Sequence, residues 1–259
     1  MTKLWSPICE RLGIENPIFG FAHDVEAVAA ITNAGGYGVY GATRRFPHEI
    51  KEELAAIRKL VGDKAFGVDL VLPPGMPEHN SREAIEAEIP EEHKAFVEKL
   101  IDKFQVPAAT QPGMRTRFIR STEIEEEQIQ AVLDSSVDMF ACGIGAPAHV
   151  MKAAKARGKT TLALIGSPHH VKRAIDAGVE ILVAQGYDAG AHTGPIGTYS
   201  LVPQIVDAAG DTPVLVAGGV ATGRHIAAAL AMGAQGVWMG TAWLLSKEHQ
   251  GHMHPVNTD

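Results

Sequence analysis

Val214-Leu215-Val216-Ala217-Gly218-Gly219-Val220-Ala221-Thr222-Gly223-Arg224-His225 is followed closely by Gly233-Ala234-Gln235-Gly236-Val237-Trp238-Met239-Gly240-Thr241. Each segment is a short apolar run that ends in glycine ahead of a helical stretch, and between them Gly223 to Met232 reads as an alanine-rich helix stopped by Gly233. Two such strand-to-helix joints in succession are the unit of a β/α barrel. In such barrels the loops after the seventh and eighth strands bind a phosphate on backbone amides and a helix start, with no lysine required.

The same rhythm runs outward to the start of the chain. Apolar runs rich in β-branched residues fall at 17–20, 37–40, 65–71, 137–142, 160–165, 180–184, 213–217 and 235–239, separated by segments of helical period. Eight runs predict a TIM barrel. Ser167 is the expected cap of one helix, Pro168 its first residue and Gly178 its stop. The rhythm breaks at 73–135, which opens with Pro73-Pro74-Gly75, carries acidic residues from Glu83 to Glu92, and brings Arg115, Arg117 and Arg120 together. It is an insertion between the third and fourth strands of one 1–259 domain, read as a solvated excursion. About 20 residues follow the eighth strand, so a stunted last helix is expected.

Composition excludes several classes. Among 259 residues, 23 Lys+Arg stand against 30 Asp+Glu, a net charge of −7 that argues against nucleic-acid binding. No run reaches the roughly 18 apolar residues of a membrane helix, and the start, Met1 to Pro7, lacks a secretory signal. A cytoplasmic location is the expectation. Cys9 and Cys142 are far apart and in no metal-ligand spacing, and His249, His252 and His254 have no acidic or cysteine partner spaced with them, so no metal is expected.

Chemistry centres on Gln185-Gly186-Tyr187-Asp188-Ala189-Gly190-Ala191-His192-Thr193-Gly194, directly after the sixth strand. Loops after the strands form the working face of a barrel, and three glycines allow close approach to a planar or anionic ligand. His192 is the acid–base candidate, because an imidazole exchanges a proton near neutral pH.

The Gln-Gly-x-x-Ala-Gly-x-His-x-Gly loop, Ala217-Gly218-Gly219-Val220 and Gly233-Ala234-x-Gly236-Val237-x-Met239-Gly240-Thr241 resemble the nitronate monooxygenase family, formerly the 2-nitropropane dioxygenases. The resemblance extends from about residue 14 to 245 and takes in Asn33 to Val39 and Phe66 to Leu70. It implies a TIM barrel holding FMN, with the phosphate on the amides of Gly219, Gly240 and Thr241, Gln185 and Gly190 along the flavin, and His192 facing substrate. Gly186, Ala191, Gly218, Met239 and Asp69 complete the implied cofactor set. Three departures stand out: Phe21-Ala22-His23-Asp24 where the family carries Ala-Pro-Met, Asp69 where Asn is common, and Ala191 before the histidine in place of Gly. His23 thereby becomes a second catalytic candidate.

The resemblance implies oxidation of an alkyl nitronate, such as propionate 3-nitronate, with O2. The alternatives are an NAD(P)H-dependent FMN reductase of the enoyl-acyl-carrier-protein reductase II type, a flavin-free phosphate-binding lyase or isomerase, and a non-catalytic flavin-binding barrel. A homodimer is expected through Trp238, Trp243, Leu244 and Leu245 if these point outward. The rival is a monomer in which Leu4, Trp5 and Ile8 fold back over the gap.

Overall fold

The computed structural model describes residues 5–77, 81–108, 110 and 119–249. Among them, eight strands run parallel and close on themselves in sequence order, from β1 through β8 and back to β1. They are β1 (Ile18–Ala22), β2 (Tyr37–Gly41), β3 (Gly67–Val71), β4 (Met139–Ile144), β5 (Thr160–Ile165), β6 (Ile181–Gln185), β7 (Val214–Ala217) and β8 (Gly236–Met239). The helices are α1 (Pro7–Leu12), α2 (Val25–Asn33), α3 (Pro47–Val61), α4 (Arg82–Glu88), α5 (Glu91–Phe104), α6 (Thr122–Leu133), α7 (Ala148–Ala156), α8 (Val171–Asp176), α9 (Thr198–Ala209) and α10 (Gly223–Ala231), with 3-10 turns at Pro168–His170 and Thr241–Leu245. The TIM barrel expected from the eight apolar runs is thus present, each strand within two residues of its reading.

Strand residues alternate between two apolar layers. Outward positions such as Val68, Leu70, Phe140, Leu182, Val216 and Val237 pack under the helices, where Ile50, Leu54, Ile57, Leu201 and Ile205 meet them. Inward positions, among them Phe19, Val39, Ala141, Leu162, Val183, Leu215 and Trp238, fill the barrel. Burial on both faces explains why the strands read as continuous apolar runs with no polar alternation. Burying side chains of this size stabilises the fold by about 1.5–3 kcal/mol each.

The amino-terminal helix plugs the barrel. Ile8 and Cys9 of α1 are buried in the same cluster as the inward strand residues, and the Ser6 hydroxyl donates to the carbonyl of Gln235 just before β8. Gly13 ends α1 in the left-handed region at φ 66°, which only glycine adopts cheaply. Ile8 therefore caps the floor of the barrel, whereas the sequence reading laid it over a gap on its side; Trp5 stays exposed, and Leu4 lies outside the described residues.

Trp238 corrects a second expectation. It faces inward and stacks on Phe21 with ring centroids 5.8 Å apart, so it offers nothing to a subunit interface. Trp243 is partly buried, its indole nitrogen donating to the Met239 carbonyl at 2.6 Å, while Leu244 and Leu245 are exposed. A groove of about 320 Å³ beside it, lined by Ile18, Ala27, Ile31 and Trp243, lies outside the barrel and is apolar.

The insertion forms a second compact unit, Gly75–Glu127, narrower than 73–135 because Gln128, Ala131, Val132 and Leu133 at the end of α6 are buried. Within that unit Ser81 caps α4 by accepting from the Ala84 amide, and Arg120 pairs with Glu125 at 3.1 Å. Arg115 and Arg117 lie outside the described residues. The side chains of α5 bury nothing, and Phe96, Val97 and Phe104 are exposed. Among the described residues no helix is long and apolar enough to cross a membrane.

Candidate active site

The inward-facing positions at the carboxyl ends of β2, β4 and β6 are Gly41, Gly143 and Gln185, and Gly240 directly follows β8. Three of these four have no side chain. A Cβ at Gly41 would lie 2.6 Å from the imidazole of His23 and from Phe21, one at Gly143 3.1 Å from Asp69 Oδ1, and one at Gly240 3.6 Å from Phe21. At the mouth of the barrel these glycines leave room for Phe21, His23 and Asp69, which stand over the strand ends. Gly143 is also the extra residue of a bulge, since Leu70 pairs with Cys142 but Val71 with Ile144; bulges of this kind re-aim side chains next to active sites.

Asp69 is 3% exposed, and its Oδ2 is buried with no hydrogen-bond partner. Burial alone pushes its carboxyl up from the usual carboxylate range to about 7. A buried polar atom with no partner calls for a physical explanation, and a ligand atom or a retained proton would supply one.

His23 Nδ1 lies 2.9 Å from the carbonyl of Gly41. A carbonyl only accepts, so Nδ1 carries a proton and donates it. Its ring meets Phe21 edge-on, with centroids 4.9 Å apart, and Arg45 Nη2 donates to its carbonyl at 3.4 Å.

His192 sits in the exposed loop between β6 and α9. Gln185 reaches it from inside the barrel, Nε2 donating to the His192 carbonyl at 2.6 Å. The loop is tied down at further points. The Tyr187 amide donates to Ile196, the Thr198 amide donates to Asp188 Oδ2 at 2.7 Å, and Gly194 packs on Gly166, where a Cβ would be 2.4 Å from the Gly166 carbonyl oxygen. The Thr198 bonds hold the Asp188 carboxyl below its usual range.

The residues assigned to the cofactor divide by what the fold asks of them. Gly218 and Gly219 have φ of 103° and 71°, so both need glycine for the turn after β7. Gly219 lies beside Asp188, and Gly190 beside the hydroxyl of Thr241, which brings the β6, β7 and β8 loops together as a cradle. Gly186 and Gly218 also answer to Thr198: a Cβ on either would meet it at 2.3 or 2.5 Å. The Thr198 hydroxyl donates to the carbonyls of Ala217 and Gly218, so these glycines let α9 close on the strand ends. Ala191 is exposed in the loop. The Met239 side chain packs in the outer layer, leaving only its backbone toward the mouth. At the start of α10 the amides of Ala221 and Thr222 donate to His225 Nδ1.

The sequence reading missed Gly41, Phe21, Thr198 and Asp188. Gly41 had a signal, standing two residues beyond Val39 on the inward side of its strand. Thr198 had none, since its role depends on α9 approaching two strand ends. His249 has an acidic partner that spacing conceals, Asp24, bonded to its Nδ1. Among the described residues no group of three or more possible ligands could hold a metal; His252 and His254 lie outside them.

Residues 7–255 match the family model described as nitronate monooxygenase. The chain belongs to the nitronate monooxygenase family. It is 40% identical over 254 residues to Rv1533 of Mycobacterium tuberculosis, a protein with a monooxygenase designation, covering 93% of this chain and 66% of that one. A Staphylococcus aureus protein with a nitronate monooxygenase designation is 30% identical, over 93% and 68% of the two chains. Among solved structures, the nitroalkane oxidase of Streptomyces ansochromogenes superposes with a TM-score of 0.75 at 26% identity, covering 93% of this chain and 69% of that chain. The nitronate monooxygenase match therefore spans nearly the whole chain, while the chain spans about two thirds of the length of these relatives.

Proposed function

We propose that this chain is the catalytic barrel of an FMN-dependent oxidoreductase that oxidises alkyl nitronates with O2. The observation that carries the reading is the buried Asp69 oxygen with no partner at the barrel mouth, among strands that end in glycine and near the loops after β6, β7 and β8. A planar ring needs a polar partner at its edge and a phosphate needs backbone amides, and glycine-rich strand ends allow close approach to both. The amides of Gly219, Gly240 and Thr241 would hold the phosphate, and Gln185, Asp69 and Gly190 would lie along the ring. Bound FMN would supply an electron acceptor for the substrate and an electron donor for O2.

The chain's own work is positioning and proton handling. Gln185 fixes the backbone on which His192 is displayed, and His192 orients the anionic nitronate or takes an α-proton from the parent nitroalkane. His23, its Nδ1 donating to the Gly41 carbonyl and its ring packed against Phe21, is the second imidazole available at the mouth. The relatives' designations and the nitroalkane oxidase likeness support this substrate class.

Anaerobic titration of the flavin-loaded protein tests the reading. Propionate 3-nitronate should bleach the flavin absorbance, and air should restore it. Bleaching by NADH with no response to nitronate would move the chain to the enoyl-reductase type, and no response to either would leave a binding protein.

A further inference from the structure

We propose that Asp69 serves the barrel mouth as a neutral carboxylic acid, donating a hydrogen bond from its unpartnered oxygen to an electron-rich edge of the bound flavin. We further propose that reduction of that flavin is coupled to one proton held at Asp69. The inference rests on the flavin reading above and adds to it a role that an asparagine at this position cannot play, because an amide does not titrate.

The geometry leaves Asp69 little choice. It lies on β3 between Gly41 of β2 and Ala141 of β4, to which it is paired in register. Its Oδ1 and Oδ2 face the bulge glycine, Gly143, and Oδ2 has no donor in reach. Among the described residues that pack around it, none offers a compensating charge. From β4 come Ala141 and Gly143, from β3 itself Val71, and from β2 Gly41. On the β1 side stand Phe21 and His23, the imidazole being spent on the Gly41 carbonyl. Beyond β2, Arg45 donates to the Tyr40 hydroxyl and the Glu53 carboxylate, so its charge is already matched on the outer side of the barrel. An isolated carboxylate in such a place is costly, and the group holds its proton to about neutral pH.

A neutral acid here can donate one O–H, and its Oδ2 has no partner among the described residues. A flavin that gains two electrons gains negative charge, which favours the acid over the carboxylate. When Asp69 is ionised beforehand, reduction draws one additional proton from solvent onto its carboxylate. The balance is two electrons to the flavin, the flavin's own proton uptake, and one proton to Asp69.

Two measurements test this, one of them without flavin. Infrared spectra of the flavin-free protein should show a carboxylic-acid carbonyl band that survives to neutral pH, fades as the pH rises further, and is missing in Asp69→Asn. Loss of every such band in the ordinary carboxylate range overturns the proposal whatever the flavin does. In the loaded protein, equilibrium reduction against reference dyes should give a midpoint potential whose fall with pH steepens above the acid's titration, by one proton per two electrons, with no steepening in Asp69→Asn. Ionisation of a reduced flavin itself flattens that slope, so the sign separates the two. Should Asp69→Asn fail to fold, the slope break in the unaltered protein must coincide with the loss of its infrared band. Equal slopes in both proteins overturn the coupling and leave the flavin reading standing. A protein that binds no flavin overturns both the coupling and the proposed function.

Discussion

Gln185 Nε2 and the main-chain oxygen of His192 lie 2.6 Å apart, so a side chain from inside the barrel holds the loop that displays the proposed catalytic histidine. Gln185→Leu removes the donor while roughly keeping the volume. We expect flavin to bind more weakly, stability to fall by about 0.5–1.5 kcal/mol, and turnover to fall. His192→Ala should keep its flavin and lose about 10²–10⁴-fold in turnover. Absorbance for flavin content and steady-state oxygen uptake read both, and unchanged turnover in His192→Ala would transfer the role to His23.

Thr198 joins α9 to the ends of β6 and β7 through its hydroxyl and its amide. Thr198→Val should destabilise the protein by roughly 1–2 kcal/mol in urea denaturation and speed flavin release, because the turn at Gly218 and Gly219 loses its brace. Thr198→Ser should restore both. Rapid flavin loss in the serine variant would show that the methyl group, and not the hydroxyl, matters.

Gly41→Val would displace the rings that flank the mouth, since even a Cβ would stand 2.6 Å from His23 and Phe21. Both rings lie at the mouth, with His23 exposed, so the fold can yield locally. Flavin affinity should fall far more than thermal stability does. A variant that loads normally would place the ring elsewhere in the mouth.

Asp69 also sets a pH dependence for the flavin-free protein. Its carboxyl is raised on folding from 3.8 to about 7, so its contribution is fully present below the unfolded value and is lost as pH rises to the folded one. Asp69→Asn avoids this loss. Its stability advantage over the unaltered protein should grow between about pH 4 and pH 7 and level off above, reaching the order of 4 kcal/mol. Denaturation at a series of pH values checks this, and an advantage that does not change with pH would contradict it.

How much was legible beforehand follows from what each residue depends on. The barrel was readable because strands buried on both faces leave continuous apolar runs, and because Gly178 and Gly233 end helices by local rules that need no tertiary information. The cradle at Gly218 and Gly219 was readable for the same reason. Trp238 was misjudged because a strand of four residues shows only which side chains share a face, and the direction of that face depends on where β1 and β7 lie. The grouping of Gly41, Gly143 and Gly240 at one end of the barrel was invisible: they are far apart in sequence, and closure of the barrel brings them together. The burial of Asp69 depends on the same closure, so its place in the chain left open whether its carboxyl is protonated or paired.

The most direct test of the central claim is the absorption spectrum of the purified chain before and after incubation with FMN, followed by gel filtration and quantification of bound flavin. The account predicts a yellow protein carrying about one FMN per chain, and a Gly219→Leu variant that folds but stays empty because its side chain occupies the cradle. A folded, colourless chain that retains no FMN after incubation, or a Gly219→Leu variant that loads as well as the unaltered protein, would contradict it.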